Sequence, residues 1–223
     1  ARKYADSCLQ LENDLLDYNT LNTASNQPVI PRDNPEVIFR VLLANAVINH
    51  PTSVSRIDTT LYRSYDDNDL RKYIFFRTTS PVDVLYKGSY DGSTSYFSGI
   101  ATDEVYFIRA EANARIGKVN DAIADLNMVM EKRWKNDGSF VPFTAADQNE
   151  ALTIILTERR KELVHRSTRW SDLRRLNKEG ANITIKRFLN GQEYVLSPND
   201  KRYTFLIPPS VISFHPEMPQ NLR

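Results

Sequence analysis

The chain has 223 residues, of which 41% are hydrophobic and 26% charged, with a formal net charge of +1 at neutral pH. That suits a globular protein with a substantial core, and the near-zero charge gives no support to binding of nucleic acid or an acidic membrane as the main activity. The single cysteine, Cys8, cannot close an internal disulfide and has no metal set around it, and no apolar run reaches the ~18 residues of a transmembrane helix.

The sequence opens without Met in a helical pattern. Tyr4, Cys8, Leu11 and Leu15 recur at helical spacing beside Ala5 and Leu9, predicting a helix to about Leu16. With no capping residue before it, this reads as an orphan helix of a fragment, and its uncovered apolar face predicts self-association. Residues 17–100 form a loop-rich region. Asn19, Asn22, Asn26, Pro28, Pro31, Asn34 and Pro35 mark loop, and Val37 to Leu43 reads as extended. Arg56 to Tyr65 has Ile57, Leu61 and Tyr65 at helical spacing, Asp66 to Asp69 is a polar turn, and Ile74 to Phe76 is a strand or a helix end. Val84 to Gly99, VLYKGSYDGSTSYFSG, is the most loop-like stretch and a candidate binding region.

Residues 101–134 predict a helical hairpin. Val105, Ile108 and Ala112 form one stripe and Ile123, Leu126 and Met130 another, with Gly117 as the turn residue able to take positive φ. Ala110, Gly117 and Ala122 stand at the small-residue positions of a tetratricopeptide (TPR) repeat and Tyr106 at its aromatic position. Such a unit needs stacked neighbours. Residues 144–178 predict a second helical pair. It opens at a capping box, Thr144 to Asp147, with a first helix running to about His165 and a second from about Arg169 to Asn177. In the C-terminal segment, 179–223, a small hairpin is expected around Asn190-Gly191, and Pro209 starts a short helical turn through Phe214. The fold class is mostly α, with TPR-like hairpins, long loops and small β elements.

The motif ERRKELVHRSTRWSDLRRL, followed by FLIPPSVISFHPEMPQN, resembles the C-terminal half of the SusD/RagB family. The matching positions are Glu158, Arg159, Arg160, Glu162, Arg169, Trp170, Asp172, Leu173, Arg175, Ile207, Pro208, Gln220 and Asn221. Upstream, Asp17 to Asn19, Asn34 to Phe39, Asp69 to Arg71, Lys87-Gly88 and Arg109 to Glu111 also fit. The family's N-terminal half, signal peptide and lipidated cysteine are missing from the sequence. The resemblance implies a truncated SusD-like protein of the outer membrane, surface-exposed and lipid-anchored at full length. It implies a non-catalytic role in nutrient uptake: binding oligosaccharide, or another nutrient, for a TonB-dependent, SusC-like transporter, with no cofactor and no nucleic acid. The alternative is a TPR-type protein–protein interaction scaffold without a glycan site of its own.

The chemistry-bearing residues suit binding better than catalysis. Glu158 and Glu162 at i, i+4 among basic neighbours read as a salt-linked structural set, not a glycosidase pair. Asp172 with Arg169 and Arg175 reads likewise, and these charges are expected to fasten the two last helices together. His50, His165 and His215 show no metal or triad spacing and are expected at the surface or in caps. The 66–69 run lacks the Gly and terminal Glu of a calcium loop. Sugar recognition asks for aromatic faces with planar polar groups beside them. The candidates are Tyr62, Tyr65, Tyr86, Tyr90 and Tyr96 with Asp66, Asn68 and Asp91, displayed on loops, while Trp134 and Trp170 are assigned to the core.

Overall fold

The computed structural model describes residues 1–43, 56–80, 83–88 and 90–223. His50 lies outside them. In chain order come α1 (Arg2–Leu11), β1 (Val37–Phe39), α2 (Thr59–Arg63), α3 (Arg71–Phe75), β2 (Phe76–Ser80), β3 (Asp83–Tyr86), β4 (Ile100–Ala101), α4 (Thr102–Arg115), α5 (Val119–Glu131), α6 (Gln148–Glu162), α7 (Arg169–Lys178), β5 (Ile185–Leu189), β6 (Gln192–Leu196) and α8 (Pro209–Phe214). They divide into two compact units, Ala1–Ser167 and Thr168–Arg223. The described chain is mostly α-helical, with small antiparallel strand pairs.

In the first unit α4 is the central rod and lies against α1, α5 and α6. It buries Val105, Tyr106, Phe107, Ala110 and Ala114, more than one stripe, because it has neighbours on several sides. Ile108 and Ala112 of the predicted stripe are only half-buried. The α5 stripe of Ile123, Leu126 and Met130 is buried as expected. Gly117 joins the helices at φ +77°, where the Gly117 and Lys118 N–H groups cap Ala114 O and Asn113 O. Arg109 ties three helices together, donating to Asp125 on α5 at 2.7 and 3.0 Å and to Asp6 on α1 at 2.9 Å.

Several boundaries differ from the sequence reading. The first helix stops at Leu11 rather than Leu16, and it is partnered by α4. The Leu16 N–H donates instead to Glu36, Leu16 O accepts from Arg133, and Asn13 O accepts from Tyr106, so tertiary bonds replace helical ones. Arg56 to Tyr65 is helical only over Thr59–Arg63, where Asp58 caps Thr60 N–H and Ile57 N–H bonds to Val84 O. The loop reading of Val84 to Gly99 gives way to strand at β3, which pairs antiparallel with β2. The α6 cap is Asp147, whose carboxylate accepts from Asn149 and Glu150 N–H while Glu150 reaches back to Ala146 N–H. The box therefore lies three residues later than Thr144 to Asp147. The helix ends at Glu162, and His165 and Ser167 take φ of 56° and 63°. The first helix of the 144–178 region, α6, packs on α4 and α5, and α7 belongs to the second unit.

Val37 to Leu43 is extended, with β1 antiparallel to β4 and Leu42 bridged to Phe97. Gly99 permits this approach: a Cβ there would overlap Phe39 O and stand 2.8 Å from both Val41 N and Phe97 Cζ.

In the second unit, β5 and β6 form a hairpin around Asn190-Gly191, at φ 51° and 78°, the left-handed pair of a type I′ turn. Trp170 is half-buried, stacked on Phe205 at 5.5 Å, and donates to Tyr203 O. The Gln220 amide pairs with both backbone groups of Ile207, at 2.7 and 2.9 Å, and Asn221 donates to Phe205 O. The Gln-Asn motif thus holds the Ile-Pro segment.

Candidate functional site

A buried ionic network joins the segments of the first unit. Arg71 donates to both oxygens of Asp69, at 2.9 and 2.6 Å, to Glu162 at 3.1 Å, and to Glu158. Arg133 donates at 2.7 Å to each of Glu162, Glu36 and Leu16 O, with its guanidinium 4.1 Å from the Tyr18 ring centroid. Lys161 adds a 2.7 Å bond to Glu158. Burial raises the Glu158 carboxyl, but Arg71 and Lys161 outweigh it and hold it below the usual range. Glu158 and Glu162 are therefore committed to cations, as a structural pair should be. Their anchors are Arg71 and Arg133. Asp172 pairs along its own helix, with Arg175 at 2.8 Å. Arg160 meets Asp58 at 3.4 Å and Arg159 meets Glu104 at 3.6 Å. Arg169 opens α7.

The expected display of loop tyrosines is corrected by their burial. Tyr65, Tyr86, Tyr90 and Tyr96 lie in the core at 2–6% exposure. Tyr65 edges onto Phe76 and donates to Lys161 O at 2.7 Å. Tyr90 stacks on Phe97, and its hydroxyl bonds Tyr18 and Asp103. Tyr86 and Tyr96 stack on each other at 5.8 Å and on His165 at 4.6 and 5.0 Å. His165 is thus a half-buried ring packed on two phenols, and burial pushes its imidazole down to about 4. Burial also raises the phenols of Tyr65, Tyr86 and Tyr90. These side chains pin the segment to the core. Asp91 is half-buried and engaged by Arg40 at 2.8 Å and Ser93 at 3.2 Å.

The remaining candidates come together at one accessible place, the turn over residues 66–68 between α2 and α3. Asp66 is exposed, and Tyr62 and Asn68 are half-exposed. Lys72 Nζ stands 5.3 Å from the Tyr62 ring centroid and donates to Asp67 at 2.6 Å. Tyr73 O–H donates to Asp67 O at 3.1 Å. Lys135 lies 5.6 Å from the Tyr73 centroid and donates to Asn68 Oδ1 at 3.3 Å. Two half-exposed phenol rings therefore flank a turn of planar carboxylate and amide groups. Tyr73, Lys72 and Lys135 were missed from sequence, although α3 carries the signal: Ile74 and Phe75 point inward, leaving Lys72 and Tyr73 at its outer side. Arg133 had no local signal, because its carboxylates come from 29 and 97 residues away. Trp134 is half-buried against Phe140 and Phe143.

The sequence profile of the SusD family matches residues 49–222. The chain belongs to the SusD family. Solved SusD relatives share the fold. A SusD superfamily protein of Bacteroides thetaiotaomicron has a TM-score of 0.68 at 19% identity, over all of this chain and 56% of its own. A SusD-like protein of Bacteroides fragilis gives 0.64 at 18%, over 99% and 60%. A SusD-like carbohydrate binding protein of Bacteroides vulgatus gives 0.62 at 21%, over 94% and 53%. The chain thus spans 53–60% of the length of these SusD structures. No curated protein matches it.

Proposed function

We propose that this chain is part of a cell-surface, lipid-anchored nutrient-binding protein. In this reading it captures oligosaccharide without catalysis and passes it to a TonB-dependent transporter of the outer membrane. Membership of the SusD family carries the reading, supported by a structural relative described as carbohydrate binding. Within the chain, the contact falls at the turn over 66–68, with Tyr62 and Tyr73 offering ring faces and Asp66 and Asn68 meeting hydroxyls. Tyr65, Tyr86, Tyr90 and Tyr96 act beneath it as packing.

The test is calorimetric titration with a panel of soluble oligosaccharides. The parent chain binds one of them, and Tyr62→Ala with Tyr73→Ala weakens binding at least tenfold, about 1.4 kcal/mol, with the melting temperature kept. Tyr86→Ala lowers the melting temperature instead. A double variant that binds like the parent refutes the location, and a chain that binds no member of the panel refutes glycan capture by this chain.

A further inference from the structure

The buried network is one positive charge short. Its cations are Arg71, Arg133 and Lys161; its carboxylates are Glu36, Asp69, Glu158 and Glu162. In the neighbouring set, Arg166 faces Asp103 and Glu104, and Arg159 faces Glu104. Three of the four network carboxylates have both oxygens bonded to cations: Asp69 by Arg71, Glu158 by Arg71 and Lys161, Glu162 by Arg133 and Arg71. Glu36 differs. Its Oε1 takes the Arg133 and Leu16 N–H groups, at 2.7 and 2.9 Å, while Oε2 is buried with no hydrogen-bond partner among the described residues. Asp103 Oδ1 is orphaned in the same way. A buried anion with an orphaned oxygen is costly, and the least costly remedy is a proton.

We propose that Glu36 is a carboxylic acid in the folded protein at mildly acidic pH, its proton relieving a buried charge where residues 34–37 meet α4. Glu36 sits where its backbone O accepts the Thr102 N–H at 2.8 Å and β1 begins against β4. The groups facing Glu36 are Arg133 beyond α5, Glu162 on α6, Asp103 on α4, and the neutral phenols of Tyr18 and Tyr90. Burial raises Glu36 most, Arg133 opposes, and Asp103 and Glu162 reinforce the rise, to about 7. A carboxyl raised in the folded state stabilises it most below the unfolded value, and that stability is lost as pH rises through the folded one. The stability that the neutral Glu36 contributes is therefore lost between about pH 4.5 and 7.

The direct test is infrared spectroscopy of the folded chain at about pH 6, where ordinary carboxyls near 4 are ionised. One carboxylic-acid C=O band is expected, titrating away around neutrality and absent from Glu36→Gln. Asp125→Asn keeps the band, because that carboxylate is held by Arg109. No band in the parent, or a band that survives in Glu36→Gln, overturns the proposal. As a second readout, the parent's melting temperature falls relative to Glu36→Gln as pH rises from 5 to 8, and a constant difference overturns it. If Glu36→Gln fails to fold, the parent's band and its titration still decide.

Discussion

Arg133→Met tests whether the buried network holds the first unit together. The substitution keeps much of the side-chain volume and removes three 2.7 Å charge-assisted bonds. It leaves Glu162 to Arg71 and Glu36 Oε1 to the Leu16 N–H. Breaking a fully buried pair from one side costs about 3–5 kcal/mol, mostly as the penalty of the buried polar groups left uncompensated. For a chain of this size each kcal/mol moves the melting temperature by roughly 2–4 °C, so a fall of about 6–20 °C is expected. Urea unfolding followed by far-ultraviolet circular dichroism measures the cost, because α1 to α6 all lie in the first unit and dominate the helical signal. Adding Glu36→Gln and Glu162→Gln recovers more than half, because neutral amides carry no charge to strand. An Arg133→Met cost below about 1 kcal/mol, the scale of exposed pairs, refutes the reasoning, as does an absence of recovery in the triple variant.

His165 gives an acid-side signature. Its imidazole is depressed to about 4 by burial, so the stability present above pH 6.5 is lost as pH falls toward 4. His165→Asn, which tolerates the φ of 56°, removes that slope in a series of thermal melts. Gly99→Ala costs about 1–3 kcal/mol or more through backbone overlap. Gly138→Ala, at φ +83° with nothing within 4 Å, costs only the left-handed strain of about 1–2 kcal/mol; equal melting temperatures for the two would refute the packing argument. Tyr4 and Leu11 on α1 are 80% and 90% exposed. Concentration-dependent self-association through them is expected in light scattering and is abolished by Tyr4→Lys with Leu11→Glu. A strict monomer at high concentration counts against it.

Elements set by local chemistry were readable from sequence: the α5 stripe, the Gly117 turn, the Asn190-Gly191 hairpin and the Pro209 helix start. Those decided by distant partners were not. Residues 12–16 leave the helix because Glu36, Arg133 and Tyr106 claim their backbone groups. Ile57 is drawn out of its predicted helix by Val84. The candidate site was half-legible for a related reason. Tyrosine is amphipathic, so residue type and a Gly/Ser-rich context cannot separate Tyr86 and Tyr96, stacked inside on His165, from Tyr62 and Tyr73 at the surface. The family motif was visible, but its part in the network was not, since Arg71 and Glu162 lie 91 residues apart.

That wide spacing also sets the order in which the molecule can fold. The α4–α5 hairpin is local and closes early. The ionic network cannot, because its carboxylates run from Glu36 to Glu162 and its cations lie between. A growing chain that has just released Arg133 still lacks the acids of α6, so Arg71 and Arg133 have only Asp69 and Glu36 as carboxylate partners until that helix emerges. The network therefore closes only after residue 162 is made. A chain ending before α6 leaves Arg71 and Arg133 without Glu158 and Glu162, two of the network's four carboxylates.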